Sequence, residues 1–187
     1  DPSVAPFLIY AVGLSLVSGV LTQTFPFAMM DKMGLEGENA AQYLGPVMTV
    51  GAMATLIAQL VIIPRMKLSA RDLMVSGAVL LVLGSVFMTF AGLFAMFAFV
   101  QMLFGLGQGL SRPGFTSAAS LAAGPEAQGN VAGLITAANG AGFVISPFFG
   151  PWMYQYVSPA APFIFCAGVL SIMGVYAWFK ASHARMR

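Results

Sequence analysis

Charge is what this sequence has least of. Only 7% of its 187 residues are Asp, Glu, Lys or Arg, where a soluble domain carries about 25%. Hydrophobic residues make up 59%, and an aqueous fold of this length has too little interior to hide them. A single cysteine, Cys166, excludes a disulfide framework within the chain and a cysteine metal cluster; it reads as a small apolar residue of the last helix. The one histidine, His183, lies in a basic tail. No Asp, Glu, Lys or His falls in the middle of an apolar run. Acid–base, nucleophilic and metal-assisted catalysis therefore lack their groups, and the chain reads as neither an enzyme nor a metal binder. Gly105, Gly107 and Gly109 have a faint likeness to a nucleotide loop, but no strand precedes them and they sit in an apolar helix, where glycine serves packing.

What is present is uncharged length. Charge-free runs of 29 residues separate Asp1 from Asp31, 26 separate Glu38 from Arg65, 39 separate Asp72 from Arg112 and 53 separate Glu126 from Lys180. One membrane crossing takes about 20 residues. The first two runs each hold one helix; the third holds two, with a turn near Ala91 and Gly92; the fourth holds two, broken between Pro147 and Pro162. The expectation is an all-α membrane protein, a single domain of six transmembrane helices near residues 6–30, 42–63, 70–90, 93–111, 126–149 and 161–180. With six crossings the termini share a side, and Arg65, Lys67, Arg71, Arg112, Lys180, Arg185 and Arg187 fall on it, with Lys32 alone opposite. That asymmetry predicts cytoplasmic termini. The net charge of +2 thus reports topology and implies no nucleic-acid partner. The first helix outruns a signal-peptide core and follows Asp1 in place of a basic segment. The chain also starts without Met, so a longer parent is expected.

Polarity inside the apolar runs is sparse and patterned. Gln101, Gly105, Gln108 and Arg112 recur every three or four residues, which predicts one helical face. The fifth helix carries Gly129, Gly133, Ala137 and Ala141 on one stripe, and Ala138, Gly142, Ser146 and Gly150 on the next, a surface another backbone can approach closely. In the first helix Thr22, Gln23 and Thr24 stand beside Pro26, which removes a backbone hydrogen bond. Two readings of these groups stay open: Thr22, Gln23, Thr24, Gln101, Gln108 and Asn139 line a water-accessible cavity, or they bond between and within helices. At the cytoplasmic side Arg65, Arg71, Asp72, Arg112 and Glu126 are gate or loop candidates. Ser69 and Asp72 have the spacing of a helix capping box, and the basic residues there suit lipid phosphates or topology alone. The third and sixth helices contain no amide or charge within the span and are expected to be the outer, lipid-facing ones. Helices one to three and four to six thereby form two similar triplets, the form of the repeats in secondary transporters.

Three stretches carry a resemblance. LTQTFPF followed by DKMGL, RMKLSARDLMVSG, and GPEAQGNVAGL are similar, in order and spacing, to the seventh helix, the eighth-to-ninth loop and the start of the eleventh helix of a major facilitator superfamily transporter. The whole chain resembles the C-terminal six-helix half of such a protein, nearest the drug:proton antiporter branch that includes tetracycline exporters. The resemblance implies half of a twelve-helix bundle, built of two inverted three-helix repeats. It implies secondary active transport by alternating access, against an N-terminal half or a second copy of the chain. It further implies proton-coupled efflux of drug-like or amphipathic compounds, driven by the proton motive force without a cofactor, in a bacterial inner membrane. Gln23, Gln101, Gln108 and Asn139 fall on helices similar to cavity-lining ones. Pro64 stands where the related loop of the first half has an acidic residue, and Ser69 where Gly is usual. NGAGFVISPFFGP only loosely resembles the antiporter motif. No titratable group lies deep in a span, so coupling acids are expected in the other half. A sugar or metabolite symporter of the same superfamily, or a non-transporting scaffold or sensor module, are the alternatives.

Overall fold

Six helices are long and apolar enough to cross a membrane. The computed structural model describes residues 4–36, 38–124 and 127–183; the candidate Glu126, and Arg185 and Arg187, lie outside them. The helices are α1 (Ala5–Met33), α2 (Glu38–Ile57, continued by a π-helical turn Ala58–Ile62 and a last turn Ile63–Met66), α3 (Ala70–Phe90), α4 (Phe94–Ala123), α5 (Gln128–Tyr156) and α6 (Ala161–His183). No strand occurs among the described residues.

Helix ends follow local chemistry. Pro6 occupies the first turn of α1, where its missing N–H costs nothing. The helix stops at Gly34, whose φ of 61° places it in the left-handed region, with Gly34 N bonded to Asp31 O and Leu35 N to Met30 O. Asp31 and Lys32 are thus in the last turn of α1, beyond the expected end at residue 30. At α3 the Ser69 hydroxyl accepts from Asp72 N and the Asp72 carboxylate accepts from Ser69 N, closing the expected capping box.

Two helices run well past their expected bounds, and a third is irregular. α4 continues twelve residues past Ser111, through Arg112 and Pro113, and α5 runs unbroken through Pro147 and Pro151 to Tyr156. A proline removes one backbone bond, but the remaining amides have only their own helix as partner in hydrocarbon, so the helix persists. In α2 the π turn ends where Ile63 N bonds to Ala58 O, immediately before Pro64. The extra residue in that turn relieves the clash a proline ring makes with the preceding carbonyls.

Packing pairs the helices across the triplets. α1 lies on α5, and α4 on α2; α3 packs on α4 and α6, and α6 on α1, while α1 and its neighbour α2 scarcely touch. Exchanging helices one to three with four to six reproduces the same set of pairs. This is the signature of two inverted repeats, because α1 and α4 cross in opposite directions. Lipid supplies no hydrophobic drive for helix association, so close backbone approach and interhelical bonds do the joining. At α2/α4 a Cβ on Gly105 would strike the Gly51 carbonyl, and Thr55 Oγ1 donates to both Gly51 O and Gly105 O at 3.0 Å. At α1/α4 the buried Phe25 ring meets Phe97 edge-on, with centroids 6.0 Å apart. Lys32 Nζ donates to the Met88 and Thr89 carbonyls at 2.9 Å, satisfying the end of α3.

The fully buried Tyr10 ties three helices. Its hydroxyl donates to Met74 O at 2.8 Å and stands 3.2 Å from Ser111 Oγ. Tyr10→Phe keeps the ring in its place against Phe115 and removes only these bonds. Unfolding in detergent is expected to show a loss of about 1 kcal/mol, within the range measured for interhelical bonds in membranes; an unchanged midpoint would show the hydroxyl contributes nothing.

Candidate functional site

The candidate polar residues do not act as one set. Thr22, Gln23 and Thr24 turn through about 200° of helix, so they cannot share a face. Thr22 and Gln23 are exposed. Thr24 is fully buried, its hydroxyl donating to Val20 O at 2.7 Å and its methyl lying 3.1 Å from where a side chain on Gly150 would begin. Thr24 is therefore an α1/α5 packing residue, which corrects its assignment to a cavity.

The seam on α4 is divided in the same way. Gln101 is half-buried against α2, its Nε2 donating to Met48 Sδ at 2.9 Å and its Oε1 lying 3.1 Å from the open Cβ position of Gly51. Two turns on, Gln108 is half-buried and makes no side-chain hydrogen bond among the described residues. Arg112 is half-buried inside α4, not in a connecting loop as expected. In α5 Asn139 Oδ1 accepts from Ser15 Oγ of α1 at 2.6 Å. Of the four candidate amides, then, Gln101 and Asn139 are bonded between helices and, among the described residues, Gln23 and Gln108 are not.

The charged candidates also separate. Arg65 and Lys67 are exposed on the α2–α3 connection. Asp72 is committed to the Ser69 cap, its Oδ2 also accepting from Ser69 Oγ at 2.6 Å. Arg71 turns along α3 to stack on Trp178 of α6, 3.7 Å from the ring centroid. At the opposite end Tyr154 Oη donates to Asp31 Oδ2 at 2.9 Å, fastening α5 to the end of α1.

Sequence reasoning missed three groups. Ser15 holds Asn139, and Ser18 is buried with a hydroxyl that has no partner among the described residues; both read as generic small residues. Gln59 is an exposed amide within the π turn of α2. Pro64, five residues on, was the available signal that the helix there is irregular. None of these amides or hydroxyls titrates, so the arrangement can donate and accept neutral hydrogen bonds and cannot itself carry a proton as an acid or base.

The third and sixth helices, expected to be the outer ones, are not the most exposed in the bundle. In their most apolar stretches only 22% of residues in α2 and in α5 are buried, against 44% in α3 and 33% in α6. Within α5 the two small-residue stripes differ in what covers them. Gly142, Ser146 and Gly150 are covered by α1, whereas a side chain at Gly129, Gly133 or Gly140 would meet nothing within 4 Å. The α2/α5 surface is thus the open side of the bundle. The sequence model of the Major Facilitator Superfamily matches residues 7–187. A comparison with curated proteins gives no match.

Proposed function

The chain belongs to the Major Facilitator Superfamily of multi-pass membrane secondary transporters, and from that membership we propose that it is one of the two bundles of an alternating-access carrier for small molecules. The second bundle, the preceding six helices of the same polypeptide or a second copy, docks on the α2/α5 side. Both termini are cytoplasmic, as the distribution of lysine and arginine favours, and the membrane is a bacterial inner membrane. The transported compounds are drug-like and amphipathic, extruded against protons, with the coupling acid in the other bundle.

One observation carries the substrate site: among the described residues Gln23 and Gln108 have no side-chain hydrogen bond, while Gln101, Asn139 and Thr24 each have one. An amide facing hydrocarbon alone costs several kcal/mol, so these two face water, substrate or the other bundle. Neutral amides among Phe and Met side chains suit amphipathic compounds, binding their polar atoms without selecting charge.

Cysteine at each position tests the assignment. In the complete transporter, Gln23→Cys and Gln108→Cys are expected to react with a water-soluble thiol reagent, and a fluorescent amphipathic cation that the transporter moves is expected to slow both reactions. Cysteine at Thr24, packed under Gly150, is expected to stay unreactive. Two inert cysteines, with alanine variants that transport normally, would place the site elsewhere.

A further inference from the structure

On the side of the bundle formed by α3 and α6, an open groove of about 360 Å³ runs between Val75, Val79 and Leu83 on one wall and Leu170, Gly174 and Trp178 on the other. Its lining is almost wholly apolar. Gly174 makes the depth: an added Cβ there would already reach 3.4 Å from Ala78 Cβ. From Val75 to Leu83 the helix rises about 12 Å, most of one leaflet of a hydrocarbon core about 30 Å thick.

Above Val75, one helical turn toward the start of α3, stands Arg71. Its guanidinium lies 3.7 Å over the Trp178 ring that closes the groove, which fixes the plane of the fork. Its Nε is buried and has no hydrogen-bond partner among the described residues. The nearest acid in sequence, Asp72, is engaged by the Ser69 cap. Arg65 and Lys67 stand exposed on the adjoining connection and add positive potential. An unsatisfied, partly desolvated guanidinium favours a bidentate oxyanion, and phosphate matches its geometry. Trp178 beside it has the amphipathic ring enriched at the headgroup level. An apolar slot one leaflet deep that opens at an unpaired arginine has the chemistry of one kind of molecule.

We propose that the α3/α6 groove binds an anionic glycerophospholipid, with one acyl chain along Val75–Leu83 and its phosphate held by Arg71. The site lies away from the α2/α5 side and is distinct from the proposed substrate amides. The bound lipid seals α3 to α6 and anchors this side of the bundle to one leaflet.

A photoactivatable lipid reads this out in the full polypeptide. Phosphatidylglycerol carrying a diazirine in its acyl chain is incorporated at low mole fraction in phosphatidylcholine bilayers, and the crosslinked residues are mapped by mass spectrometry. Crosslinks are expected at the groove walls, about tenfold more than with the same diazirine on diacylglycerol, which lacks the phosphate, the ratio one charge-assisted bond supports. Arg71→Gln is expected to erase the difference between the two lipids, and Arg65→Gln with Lys67→Gln to leave most of it. Gly174→Leu, which fills the slot with all charges in place, is expected to remove the groove crosslinks and decides the matter if Arg71→Gln does not fold. Equal labelling by the two lipids, a preference that survives Arg71→Gln, or groove crosslinks that survive Gly174→Leu would each overturn the site.

Discussion

Gly105→Val is expected to leave little folded protein. A Cβ at this position would overlap the Gly51 carbonyl oxygen and come within 2.9 Å of Ala54 Cβ and the Gly51 carbonyl carbon. The obstacle is backbone, so no rotamer change relieves it, and α4 must move away from α2. That movement also breaks the bond from Thr55 Oγ1 to Gly105 O at 3.0 Å. Overpacking a well-filled interface costs about 1–3 kcal/mol and at times more, to which a lost interhelical bond adds about 0.6 kcal/mol. Gly142→Val faces the same difficulty on the other side, where a Cβ would lie 2.5 Å from Leu16 N and 2.7 Å from Ser15 Cβ. Thermal unfolding of detergent-purified protein, monitored by size exclusion, is expected to show both variants unfolding well below the parent, or not purifying. A midpoint equal to the parent for either variant would mean that these glycines do not set the helix spacing.

The same kind of substitution one stripe over is expected to do the opposite. Gly133→Leu and Gly140→Leu place a large side chain where the bundle has nothing within 4 Å, and leucine favours helix more than glycine does by roughly 0.8–1 kcal/mol. The midpoint of the six-helix bundle is therefore expected to stay level or rise. Transport is expected to fall by about tenfold or more, because a second bundle seated on this surface meets an overpacked interface costing at least 1.4 kcal/mol. Uptake into liposomes reconstituted with the complete transporter, paired with the unfolding curve of each variant, separates the two effects. Full transport by the double variant would show that the stripe faces lipid and would remove the docking side from the proposal. Loss of both transport and stability would mean that the open stripe is covered from within the bundle.

These contrasts mark the boundary between what is local and what is not. Six crossings are written in the charge-free runs, because a bilayer demands about 20 apolar residues per span and satisfies no backbone group, so hydropathy alone fixes helix number. The turn at Ala91 and Gly92 and the capping box of Ser69 and Asp72 are equally legible, since each depends on residues within one turn of one another. Motif order in LTQTFPF, RMKLSARDLMVSG and GPEAQGNVAGL pointed to the superfamily that the match over residues 7–187 shows. Helix ends were less legible. Arg112, Pro113 and Pro147 carry breaking signals that hold in water, and they were overridden where the remaining backbone has no alternative partner.

Only the tertiary structure decided which small residues are contacts and which are surface. Gly133 and Gly142 belong to neighbouring stripes of α5, both made of small residues, and nothing in the sequence says that α1 covers the second and leaves the first open. The fate of the amides was likewise settled by residues far away in the chain: Ser15 reaches Asn139 across 124 positions and Met48 reaches Gln101 across 53, while Gln23 and Gln108 have no such partner among the described residues. The pairing of α1 with α5 and α4 with α2, in preference to sequence neighbours, set all of these contacts. The physical reason is that spanning a membrane is a property of each segment against lipid, whereas joining helices without a hydrophobic drive depends on matched surfaces, and a match involves two stretches of chain at once.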